Sequence, residues 1–230
     1  MKTTPENLQI AYEDNHLVIV NKRPGDIVQG DKTGDMPLSE IVKQYIKVKY
    51  NKPGNVFLGV VHRIDRPTSG LVMFARTSKS LTRMNQMLKE HRIKKTYWAI
   101  VKNPPPKKED TLIHYLKKNP KNNKSTAFDQ PTEGAKKAIL HYKLLASSDK
   151  YHLLEINLET GRPHQIRVQL SKIGSPIKGD LKYGFPRSNP NGGISLHAKK
   201  IEFIHPVKKE KIIIDAPPPE DDIWQYFNIS

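Results

Sequence analysis

The chain has 230 residues, no cysteine, and 39 Lys+Arg against 23 Asp+Glu, a formal net charge of +16. The absence of cysteine excludes disulfides and thiolate metal sites. No apolar run approaches the ~20 residues of a membrane span, and Met1-Lys2-Thr3-Thr4-Pro5-Glu6 lacks the apolar core of a signal peptide, so a cytoplasmic protein is expected. The length suits one domain, residues 1–230, with ample core. The cationic surplus is the footprint of a protein that meets a polyanion, most simply nucleic acid.

After a short lead-in, Leu17-Val18-Ile19-Val20 reads as a buried strand. Asn21 to Gly34 is turn-rich, with Pro24, Gly25 and Gly30. Ser39 to Tyr50 reads as a helix, with Ile41, Val42, Tyr45 and Ile46 at helical spacing and Asn51, Pro53 and Gly54 stopping it. Val56 to Val61 leads into His62-Arg63-Ile64-Asp65-Arg66-Pro67-Thr68-Ser69-Gly70, and Leu71 to Ala75 follows as a strand. In that stretch one carboxylate lies between two arginines, which favour its ionised form. Spacing alone leaves Asp65 either a structural ion pair or a nucleophile or base.

Thr77 to His91 reads as a second helix, capped by Thr77 or Ser78, with Leu81, Met84, Met87 and Leu88 inward. Lys79, Arg83 and Lys89 read as its solvated face. Lys95 to Val101 alternates, placing Tyr97 and Ala99 on one face and Trp98 and Ile100 on the other. On pattern alone Tyr97 is a core tyrosine. Residues 103–137 are irregular and basic, and Thr111 to Leu116 with Ser125 to Phe128 suggest a hairpin tipped by Lys117-Lys118-Asn119-Pro120-Lys121-Asn122-Asn123-Lys124. Such a tip is expected to be mobile, and is either a solvated loop or an arm that grips RNA.

Ile139 to Leu145 and Tyr151 to Leu158 read as paired antiparallel strands. A helix is expected to open with Pro163 near its first position and to bury Ile166, Leu170 and Ile173. His164, Arg167 and Ser171 then share another face. Ser195 to Phe203 and Lys211 to Ile214 read as strands, and Asp221 to Phe227 as a terminal helix whose Trp224 and Phe227 dock on the core. The nine His are scattered, and no metal, Walker or dinucleotide motif is found, so no metal and no cofactor is expected.

His62-Arg63-Ile64-Asp65-x-x-Thr68-Ser69-Gly70-Leu71 resembles the H-R-L-D-x-x-T-S-G-L signature of the RluA-type pseudouridine synthases, with Ile64 for Leu. Lys95-Thr96-Tyr97, Gly161-Arg162-Pro163-His164-Gln165-Ile166-Arg167 and Leu196-His197-Ala198 with Phe203-x-His205-Pro206 match the family in the same order, from about residue 12 to 206. Gly179-Asp180-x-x-Tyr183-Gly184 is a shorter, weaker similarity. Lys22-Arg23-Pro24-Gly25 departs from the family's Lys-Pro-x-Gly by shifting the proline one place.

The resemblance implies an α+β fold: a mixed, largely antiparallel sheet of about eight strands, flanking helices and a central catalytic cleft. It implies isomerisation of uridine to pseudouridine in ribosomal or transfer RNA. Asp65 is then the catalytic carboxylate, Arg167 its ion-pair partner, and Tyr97 the ring against the uracil. Arg63 fills the gap left by the extruded nucleotide, and His62, Thr68, Lys95, Arg162 and His164 complete the RNA contacts. With the resemblance beginning near residue 12, no S4-type RNA-binding domain is expected, and a monomer is expected. The alternative is a non-catalytic RNA-binding or ribosome assembly factor.

Overall fold

The computed structural model describes residues 2–31 and 33–227. Met1, in the lead-in, and Lys32, in the turn-rich stretch, lie outside the described residues. The elements begin with β1 (Ile10–Glu13), β2 (Leu17–Lys22), α1 (Leu38–Lys49), β3 (Gly59–Val60), β4 (Ser69–Ala75) and α2 (Ser78–Lys89). Then come β5 (Lys94–Val101), β6 (Glu109–Asn119), β7 (Lys124–Phe128), β8 (Lys136–Ser147) and β9 (His152–Leu158). The chain closes with α3 (Gln165–Lys172), β10 (Leu196–Ile204), β11 (Lys211–Asp215) and α4 (Asp222–Tyr226). No helix among the described residues is long and apolar enough to cross a membrane.

The chain divides into two compact units. The first comprises residues 1–94 and 198–219. Here β2 lies between β1 and β4, antiparallel to both, and β11 pairs antiparallel with β10. The apolar run of β2 and that of β4 are buried on both faces, as a central strand requires. Register explains the two cores. Ile19 pairs with Met73 and joins Met84 and Met87 of α2, whereas Val18 and Val20 pair with Phe74 and Val72 and join Val42 and Ile46 of α1. One helix thus covers each face. Thr77 caps α2 by accepting from the Ser80 amide at 3.1 Å.

The second unit comprises residues 95–197 and 220–230. Its strands run β5-β9-β8-β6-β7, each pair antiparallel. Trp98 and Ile100 of β5 face the α4 side, where Trp224 and Phe227 pack with Leu153. On another cluster, Val168 of α3 meets Leu116, Ala127, Ala138 and Tyr183. The expected hairpin is β6–β7, with the lysine-rich run at its turn. Its tip is pinned: Lys182 Nζ donates to the Asn123 carbonyl at 3.0 Å and approaches that of Asn122 at 3.5 Å.

Two local expectations change. The helix carrying Arg167 starts at Gln165, and its preceding residue, His164, is left-handed at φ +56°. Gln165 sets this start by accepting from Thr160 Oγ1 and the Arg162 amide and donating to the Ile139 carbonyl. Nor is α3 striped: Gln165 through Leu170 are all buried, while Ile173 is half-buried.

Candidate active site

The loop carrying Asp65 is built around a lysine. Lys22 ends β2, is 1% exposed, and donates to the carbonyls of Arg23, Asp26 and Arg66 at 2.9, 2.9 and 3.0 Å. An ammonium has three N–H donors, and all three are used. Burial pushes its pKa from 10.5 to about 7, against the pull of the Asp26 and Asp65 carboxylates. The Arg66 carbonyl also accepts from the Gly25 amide, and the Thr68 amide closes a turn onto the Asp65 carbonyl at 3.0 Å. The Lys22-Arg23-Pro24-Gly25 segment, with its shifted proline, therefore braces this turn. Gly70 ends it at φ +109°, where a Cβ would stand 2.4 Å from the Ala198 carbonyl oxygen, so only glycine fits.

The flanking arginines turn elsewhere. Arg66 pairs with Asp35 at 2.6 Å and Arg63, exposed, reaches Gln29 at 3.4 Å. The sequence placed Asp65 between their guanidinium groups, but alternate residues of a turn project in different directions. His62 Nε2 accepts from the Met73 amide at 3.3 Å. Thr68 is buried, its hydroxyl without a hydrogen-bond partner among the described residues.

In the second unit, Tyr97 is held on β5, 7% exposed, opposite Ile156. Burial lowers the pKa of nearby Lys95. Arg162 Nε donates to the Lys137 carbonyl at 2.9 Å. Arg167 forms a bidentate pair with Asp180, Nε to Oδ2 at 2.7 Å and Nη2 to Oδ1 at 2.8 Å. Arg167 is 5% exposed and Asp180 1%. A buried pair of this geometry fixes the guanidinium plane while its charge remains compensated. The Arg167 guanidinium also lies 5.1 Å from the centre of the Tyr183 ring.

The first unit thus carries His62, Arg63, Asp65 and Thr68 on one braced turn, and the second carries Lys95 and Tyr97 on β5 and Arg162, His164 and Arg167 around the start of α3. Sequence reading did not assign Lys22, Asp180 or Tyr183 a part. The signals were present in the Lys-x-Pro-Gly and Gly-Asp-x-x-Tyr-Gly segments. Among the described residues no group of three or more His, Asp or Glu is arranged to hold a metal.

The fold is that of a pseudouridylate synthase domain: the human RNA pseudouridylate synthase domain containing 4 superposes with a TM-score of 0.79 at 21% identity, covering 95% of this chain and 92% of that one. The RNA pseudouridylate synthase family profile matches residues 16–172. The chain is 32% identical over 224 residues to ribosomal large subunit pseudouridine synthase D of Zymomonas mobilis, covering 93% of this chain and 70% of that protein. It is 30% identical over 239 residues to tRNA pseudouridine synthase C of Vibrio parahaemolyticus, covering 96% and 94%. Other curated relatives are longer, and the chain spans 66% of one of them. The chain belongs to the RNA pseudouridylate synthase family, whose members are isomerases acting on RNA.

Proposed function

We propose that this chain converts uridine in structured ribosomal or transfer RNA to pseudouridine, with Asp65 as the catalytic carboxylate. The reaction breaks the N1–C1′ bond, turns the uracil in place and joins C5 to C1′. The C5 proton is lost and N1 gains one. An ionised carboxylate serves this chemistry either by attacking C1′ or by removing a ribose proton. One carboxylate suffices where glycosidases need two, because the leaving base is also the incoming nucleophile. The isomerisation is redox-neutral and calls for no cofactor. Water must stay out, or an abasic site results.

The observation that carries the reading is the brace under Asp65: a fully buried ammonium holding three loop carbonyls, one of them belonging to the next residue. A reacting group needs such support to keep its geometry. In this reading Tyr97 packs on the uracil and Arg167 serves as partner to the Asp65 carboxylate. The target nucleotide leaves its stack, at a few kcal/mol that a loop partly spares, and Arg63 takes its place. His62, Thr68, Lys95, Arg162 and His164 complete the contacts, the cationic surplus supplies phosphate affinity, and the protein works as a cytoplasmic monomer.

The test is tritium release from RNA labelled at uridine C5, drawn from cells lacking this protein, with wild type and Asp65→Ala. Release by wild type and none by a folded Asp65→Ala is expected. Wild type that binds RNA in a salt-dependent way but releases nothing from either RNA class would replace this reading with a non-catalytic binding factor.

A further inference from the structure

Tyr183 stands where the basic hairpin meets the helix that carries Arg167. It is 4% exposed. Its hydroxyl accepts from the Ser125 amide of β7 at 2.8 Å and lies 2.7 Å from His164 Nδ1. That one oxygen therefore bridges β7 and the residue that precedes α3. Ser125 Oγ donates to the Pro163 carbonyl at 2.8 Å, a second tie between hairpin and helix start. Above the ring lies Arg167, and Lys124 Nζ sits 5.5 Å from the ring centre. Ser171, one turn beyond Arg167, donates to the Tyr183 carbonyl at 2.7 Å. His164 and Arg167 thus meet the Tyr183 side chain, and Ser171 meets its backbone carbonyl.

The other side of this joint is cationic. From Thr111 to Phe128 the chain holds Lys117, Lys118, Lys121 and Lys124 and no Asp or Glu. All four lysines are exposed, and among the described residues none pairs with a carboxylate. Lys182, beside Tyr183, grips the tip by its carbonyls.

We infer that the β6–β7 tip is an RNA-backbone surface and that Tyr183 is a positioning residue transmitting its occupancy to Arg167. The inference rests on the proposed function. Phosphates bound by the tip in its pinned position favour the state in which Ser125, Tyr183 and His164 are joined. That state holds His164 in its left-handed conformation, which an L-residue leaves when its restraints go. It therefore fixes the first turn of α3 and the guanidinium carried there.

The test measures single-turnover tritium release at several salt concentrations, giving a maximal rate and a half-saturating RNA concentration. Four proteins are compared with wild type: Tyr183→Phe, the Lys117→Gln/Lys118→Gln/Lys121→Gln/Lys124→Gln variant, the two combined, and Lys182→Met. Removing four phosphate contacts is expected to raise half-saturation at least ten-fold and make its log–log salt slope shallower by about 3. Tyr183→Phe keeps the ring beneath Arg167 and loses only the joint. Its half-saturation and salt slope stay within about two-fold of wild type, and its maximal rate falls about ten-fold. The combined protein is no slower at saturation than Tyr183→Phe alone, because the signal has already been cut. Lys182→Met, a surface change compatible with folding, lowers the maximal rate in the same direction and decides the matter should Tyr183→Phe fail to fold. The joint is refuted by an unchanged maximal rate in Tyr183→Phe or Lys182→Met, by losses that multiply in the combined protein, or by an unchanged salt slope in the lysine variant. Wild type that releases no tritium fails the proposed function itself, and the joint with it.

Discussion

Replacing Lys22 by Met tests the brace beneath Asp65. Met is unbranched, one atom shorter than Lys, and supplies no donor. Three hydrogen bonds from a charged group disappear, each contributing about 1.5–3 kcal/mol. The Arg66 carbonyl keeps the Gly25 amide, which softens one of the three losses. Opposing them is the desolvation of a buried ammonium, several kcal/mol, which the variant no longer bears. A net destabilisation of about 2–4 kcal/mol is expected near pH 6.5. The pH dependence is the sharper readout. With a folded pKa of about 7 and an unfolded value of 10.5, the unfolded chain holds a proton between those limits that the folded chain has released. Unfolding free energy then rises with pH, by about 1.4 kcal/mol per unit where the difference is complete. Lys22 thus contributes least below pH 7, and the gap between wild type and Lys22→Met should widen by about 2–3 kcal/mol between pH 7 and 9. Urea unfolding of both proteins at unit steps from pH 6 to 9 measures it. A constant gap would show that the three carbonyls keep the ammonium protonated and that burial does not govern its titration.

Gly70→Ala places a methyl 2.4 Å from backbone oxygen at φ +109°, and should lower stability by more than about 3 kcal/mol; a wild-type urea midpoint would contradict the close approach. Asp180→Asn leaves the Arg167 charge buried beside a neutral partner, at about 3–5 kcal/mol, and should reduce the rate of tritium release beyond any loss of folded protein, read at a temperature where circular dichroism shows the variant folded. Trp224→Ala empties the site between Ile100, Leu153 and Phe227, for about 3–5 kcal/mol; a loss under 1 kcal/mol in denaturant would mean that α4 is not part of the core.

Most of this fold was legible because its elements bury one period at a time. The β2 run, the striped helices α1 and α2, the alternation of β5 and the docking of Trp224 and Phe227 all appear where apolar spacing put them. The failures have a common cause. At α3 the sequence suggests a stripe and a proline start, yet the helix is buried on every side from Gln165 to Leu170, and a polar side chain, Gln165, fixes its first turn. Periodicity records contrast between faces, and a helix with no exposed face offers little. Hydrogen-bonded starts depend on partners such as Ile139 and Thr160, which local spacing does not reveal.

The same reasoning explains which parts of the site could be read. Asp65, Tyr97 and Arg167 lie in motifs whose neighbours are close in sequence. Their supports come from farther along the chain: Lys22 reaches Arg66 across 44 positions, and Asp180 lies 13 beyond Arg167 in a loop without a period. Adjacent charges were the tempting substitutes, and Arg66 shows why they do not serve, since its guanidinium pairs with Asp35. A buried ion needs a partner placed by the fold, because only a rigid, desolvated contact compensates its burial. Surface charges beside it in sequence meet no such demand. In this chain the lysine and aspartate that support the candidate site are therefore those at 1% exposure.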